Sequence, residues 1–182
     1  MASPALPGVF FCFAAMVLLI FVSVSAPTWE AISFLNVGPE GHQVHYGVFG
    51  FTGSQRSIGY TFSNNSRLNT TVLHNLTKVL ILHPIVAGMS GLAFILGLSH
   101  ARIGTVFMAL VAGLAALVTF VVWVIDLVLF GIARHHFRDD GQLAQYGNAN
   151  WLTLGALVAL LLGFCVSACG MFGRYRKRRN VY

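Results

Sequence analysis

Residues 103–133 read IGTVFMALVAGLAALVTFVVWVIDLVLFGIA. Asp126 is the one side chain in this run that is charged at neutral pH. A continuous helix over it would rise about 46 Å, against a bilayer hydrocarbon core of about 30 Å. The run therefore predicts a membrane span, and one that must tilt or project its outer end beyond the headgroups. Three further runs, 1–29, 79–99 and 151–173, hold no Asp, Glu, Lys or Arg, and each is longer than the roughly 18 apolar residues that suffice for a span. Only 9% of the 182 residues are charged and 57% are hydrophobic, whereas a soluble domain carries about 25% charged residues. The expected fold is an all-α membrane protein, a four-helix bundle in a single domain, with spans at 8–26, 76–98, 104–132 and 151–172. A long loop, 27–75, and a basic tail, 173–182, complete it.

Five of the eleven basic residues, Arg174, Arg176, Lys177, Arg178 and Arg179, follow the last span directly. Such a cluster is expected to bind the anionic headgroups of the cytoplasmic leaflet, at about 1 kcal/mol per residue. This accounts for the net charge of +6 without nucleic acid as a partner. The positive-inside rule then puts both termini in the cytoplasm and the 27–75 loop outside. Sequons at Asn64, Asn69 and Asn75 all fall in that loop, as N-glycosylation requires. Asn64 and Asn69 are the better acceptors because Asn75 abuts the second span. Trp29 and Trp151 stand at the outer ends of their helices, where an aromatic belt is expected. The first run has the small-residue pattern Val24, Ser25, Ala26 of a cleavage site, but no basic residue precedes it and Pro27 follows the bond, so it is read as a retained helix.

In the long loop, Val44, Tyr46 and Val48 alternate with polar or small residues, and Ile58, Tyr60 and Phe62 alternate again after a turn at 53–56. This predicts a β-hairpin, or a small claudin-like sheet, packed toward the membrane. None of the three cysteines, Cys12, Cys165 and Cys169, lies in an outer loop, so no disulfide framework is expected there. Cys169, beside the basic tail, is a palmitoylation candidate, and Cys165 is read as a residue packed within the bundle. Gly155, Ala159, Gly163 and Ser167 put small residues on one face of the fourth span, for close approach of another helix.

Asp126 is the expensive residue, because a carboxylate in hydrocarbon needs a partner. It lies eight residues before Arg134, and His83 lies five after Lys78. At 1.5 Å per residue these are depths of about 12 and 7.5 Å from the outer charged ends, so a His83–Asp126 hydrogen bond is allowed. The pair reads as a structural bond between helices, as a contact for a partner membrane protein, or as a proton-responsive element. Pro84 beside it leaves backbone carbonyls that need donors. His42, His45, His135 and His136 have no spacing that defines a metal site, and no metal or other cofactor is expected. No nucleophile with a base, phosphate-cradling loop or acid pair is visible, so the chain is read as a non-enzyme.

Three segments carry a resemblance: Tyr46, Gly47, Val48, Phe49, Gly50 and Phe51 in the loop, 80–85 with His83 and Pro84, and 124–130 with Asp126. Together with the topology, these residues resemble the fungal PalI family, within the wider group of Sur-type plasma-membrane proteins. The resemblance implies a plasma-membrane accessory protein that helps a multi-span sensor of ambient pH. The sequence departs from that pattern where Phe51 and Thr52 replace a common Tyr-Cys pair, and where it reaches Tyr182 without a long hydrophilic tail. Alternative expectations are a structural organiser of plasma-membrane domains, related to eisosomes and the cell wall, and a small proton-linked transporter or channel subunit. The partner is then another membrane protein or a second copy.

Overall fold

The structure, a computed structural model, describes residues 6–39, 41–62, 71–99 and 102–179, with the side chains of 102–103 and 170–179 left aside. Its elements are α1 (Leu6–Ser23), β1 (Leu35–Val37), β2 (Val44–Tyr46), α2 (Thr71–Val79), α3 (Leu82–Leu98), α4 (Arg102–Asp139), β3 (Ala144–Tyr146) and α5 (Ala149–Arg179). Four helical stretches among the described residues are long and apolar enough to cross a membrane: Leu6–Ser23, Thr71–Leu98, Gly104–Asp139 and Ala149–Cys169. The chain is a multi-pass membrane protein. Each helix satisfies its own backbone hydrogen bonds, which is what hydrocarbon demands.

The helices form a ring in which α1 and α4 each pack against both α3 and α5. With no hydrophobic force between helices in lipid, close contact depends on small side chains. The bundle interior is accordingly built from Ala15, Ala87, Ala93, Ala112, Ala115, Ala116, Ala156 and Ala159 around a few larger residues such as Leu19 and Leu160. The small face of α5 meets α1: Gly163 lies against Gly8, Phe11 and Cys12, and Gly155 against Leu18. Buried hydroxyls of Ser90, Thr119, Thr153 and Ser167 donate to carbonyls four residues back in their own helices. Cys165 and Cys169 point outward, and the buried cysteine is Cys12. Cys165 is thus on the lipid-facing perimeter, not inside the bundle, because its turn of α5 turns Gly163 and Ser167 inward instead.

Span limits differ from the sequence reading where tertiary contacts extend a helix. The second span starts at α2, inside what reads as loop, so Asn75 is on a helix, and Asn64 and Asn69 lie outside the described residues. Leu73 and Thr77 bury the inner face of α2. Between α2 and α3 the chain tightens: the amides of Leu80, Ile81 and His83 donate three residues back, to Thr77, Lys78 and Leu80. Pro84, in the first turn of α3, causes this, since it has no N–H for the Leu80 carbonyl. α4 is a single helix of 38 residues. Its last two turns clear the apolar span and bury Ala133 and Phe137 in a head domain. Gly141, at φ 77°, ends it, with its N–H on the Arg138 carbonyl, as a left-handed C-cap does. α5 stays helical through the tail positions to Arg179.

The head is a three-stranded sheet in the order β2-β1-β3. β1 pairs antiparallel with β2, Leu35 opposite Tyr46, and with β3, Leu35 opposite Tyr146. The expected hairpin is therefore corrected. Val44–Tyr46 pairs with the strand before it and not with 58–62, and the third strand comes from the loop between α4 and α5. Tyr60 and Phe62 are buried and Ile58 is exposed, so their alternation marks packing without a strand. Beyond β3 the two loops continue side by side, Gly147 N–H donating to the Phe34 carbonyl and Ala149 N–H to that of Ser33. Gly147 is needed there because a Cβ would overlap the Ser33 backbone.

Candidate functional site

Where the head meets the bundle, the sequence concentrates aromatic residues and two ionisable ones. Phe34, Tyr46, Tyr60, Phe62, Phe130 and Phe137 form one buried cluster with Leu80 and Leu129. Phe34 stacks on Phe130, centroids 4.9 Å apart and planes 8° apart, and meets His83 edge-on at 5.3 Å. Beneath that lid His83 Nε2 lies 3.1 Å from Asp126 Oδ2, with both side chains essentially fully buried.

His83 is oriented by its own helix. Its Nδ1 lies 3.0 Å from the Leu80 carbonyl, which accepts the His83 amide as well in place of the N–H that Pro84 lacks. A carbonyl only accepts, so Nδ1 carries the hydrogen. Nε2 then faces the carboxylate either as the second N–H of an imidazolium or as the acceptor of a carboxyl proton. Both arrangements hold one proton between the two groups, and an arrangement with none would set a lone pair against a carboxylate. The 3.1 Å contact is within ion-pair reach. Nε2 and both carboxylate oxygens have no other hydrogen-bond partner among the described residues.

The loop motif anchors the head to the segment that follows α1. Gly47 is pressed so closely on the Ala26 backbone that a Cβ would overlap it. The amide of Val48 donates to Ser25 Oγ at 3.0 Å, the Tyr60 hydroxyl donates to the Gly47 carbonyl at 3.0 Å, and Gly47 N–H donates to Gly50 O at 2.8 Å. Tyr46 fills the aromatic cluster, while Phe49 is partly buried against it. Burial, above all, holds the Tyr60 phenol well above its ordinary range.

The other ionisable candidates are dispersed. His45 Nδ1 donates to Asn36 Oδ1, 2.8 Å away. His135 pairs with Asp139 at 3.4 Å at the exposed C-terminal end of α4, and His136 Nδ1 sits 3.0 Å from the Ile132 carbonyl. Among the described residues no group of three His, Cys, Asp or Glu side chains converges. What sequence reasoning missed is the lid: Phe34, Asn148, whose carboxamide bridges Ser33 and Ala31, and Asn150, which donates to the Phe34 carbonyl at 3.1 Å. The signal available for them was a pair of asparagines at the start of the fourth apolar run, where capping residues are preferred.

Residues 4–166 match the family model described as the SUR7/PalI family. Against curated proteins the chain finds no match.

Proposed function

The chain belongs to the SUR7/PalI family, and from that premise we propose that it is a non-catalytic accessory protein of the fungal plasma membrane that assists a multi-span sensor of ambient pH. The family is generally non-enzymatic. The observation that carries the reading is the division of the surface. Apart from a small head, the described exterior is the apolar outside of four helices, with Ile85, Leu92, Ile95, Leu114, Leu117 and Val121 all exposed. A partner for such a molecule is met in the membrane plane, helix against helix. The head lies outside and both termini lie in the cytoplasm, where Arg174, Arg176, Lys177, Arg178 and Arg179 engage anionic lipid.

Deletion of the gene tests this directly. Loss of alkaline-pH growth and of the sensor from the cell surface is the expected result, along with co-purification of the two proteins in mild detergent. Normal growth and normal sensor placement would sink it. The matched family joins two groups, and the second supports a structural organiser of plasma-membrane domains. Static fluorescent patches that persist without the sensor would favour that reading.

A further inference from the structure

On the face of the sheet turned away from the aromatic cluster, both loops enclose a polar depression of about 440 Å³ lined by Glu30, Ser33, Asn36, His45, Tyr146 and Asn148. We propose that it is a binding site for a neutral carbohydrate. Asn36 Oδ1 accepts from Ser33 Oγ at 2.5 Å and meets His45 Nδ1 at 2.8 Å. Its carboxamide plane is therefore held, and its two Nδ2 hydrogens make no bond within the described residues. The same contact puts the hydrogen of neutral His45 on Nδ1 and leaves Nε2 as an acceptor. Asn148 is held at both ends of its carboxamide, accepting from Ser33 N–H and donating to the Ala31 carbonyl, so the wall it forms is fixed in orientation. The depression thus offers one preset donor, one preset acceptor and the exposed Glu30 carboxylate. Tyr146 closes one side of it, its ring turned to α4 and held under the Arg134 guanidinium, 5.0 Å from the ring centroid.

Vicinal hydroxyls match that set, because each both donates and accepts. Phosphate and sulfate do not match it, since the lining holds a carboxylate and no Lys or Arg, and the neighbouring Arg134 is engaged by the Tyr146 ring and the Ala144 carbonyl. An apolar ligand would leave these groups desolvated and unpaired. Asn36 stands opposite His45 in β2 and Gln145 in β3, so the site forms only when strands from both loops are joined. The proposal rests on the outward orientation of the head given above.

The test uses the full-length protein in a detergent without a sugar headgroup, with saturation-transfer NMR against maltotriose, mannotriose and triacetylchitotriose. Transfer to at least one trisaccharide is expected, with affinity falling about tenfold or more in Glu30→Ala and in His45→Ala. Glu30 is exposed, so its substitution is expected to leave the melting temperature unchanged. Absence of transfer to all three at millimolar concentration overturns the proposal. So does unchanged affinity in both variants, or binding of inositol hexakisphosphate in their place. Detergent-phase binding is independent of membrane orientation, so this failure is distinguishable from a failure of the proposed topology.

Discussion

The ring of Phe34, carried by the first long loop, lies flat on the ring of Phe130 from α4, 4.9 Å between centroids and 8° between planes. This contact joins a head built from non-adjacent loops to the bundle and closes the space above His83 and Asp126. Phe34 is fully buried, so Phe34→Ala should cost roughly 3–5 kcal/mol, the range for a large aromatic removed from a packed core. Thermal unfolding in detergent would measure the loss. Faster proteolysis confined to the loops would show that the head detaches before the bundle opens.

The buried pair predicts an asymmetry. Asp126→Ala removes one partner of His83, and His83→Ala also strips the Leu80 carbonyl of its side-chain donor, so the second change should be the more destabilising. Each should cost about 1–2 kcal/mol. His83→Asn, whose carboxamide N–H₂ can take the place of Nδ1–H, should recover part of the difference. The double change to Ala should cost less than the sum of the singles. Strict additivity in melting measurements would mean that the 3.1 Å approach carries no energy.

Tyr60 predicts how the head responds to alkali. Its phenol is buried and donates to Gly47, and burial raises its pKa well above the ordinary value of 10.0. The unfolded chain therefore releases this proton near pH 10 while the folded chain retains it, so stability present below that pH is lost as pH rises beyond it. Tyr60→Phe should flatten the alkaline limb of a stability-versus-pH curve and lower stability at neutral pH by about 0.5–1.5 kcal/mol. An unchanged alkaline limb would assign the loss to another group.

Topology predicts a glycosidase-sensitive mobility shift that disappears when Asn64 and Asn69 are both replaced. Asn75→Gln should leave it intact, because Asn75 is on α2 and the Thr77 hydroxyl of its sequon is buried, donating to the Tyr60 and His74 carbonyls. A glycosylated acceptor engineered among Arg174–Arg179 would reverse the proposed orientation.

Legibility in the sequence followed the range of the interaction. Within a bilayer each helix must satisfy its own backbone polar groups, so a span is a local property and its apolar length can be counted. The meeting of His83 and Asp126 was legible for the same reason, since two depths measured along two helices compare directly. Asn75 was misplaced in a loop because α2 is amphipathic, and its helical state depends on burying Leu73 and Thr77 against the head.

From residues alone came the four apolar helices, the polar pair within them, the basic cluster after the last span and the inward face of Tyr46, Tyr60 and Phe62. Tertiary structure decided which strands pair and what covers the pair. Alternation reports which side of a strand is buried but not which strand lies beside it. Leu35–Val37 finds Ala144–Tyr146 more than a hundred residues away because α4 overruns the apolar span and carries the second loop back to the first. Phe34 becomes a lid through that same return, which no local pattern in its own loop encodes.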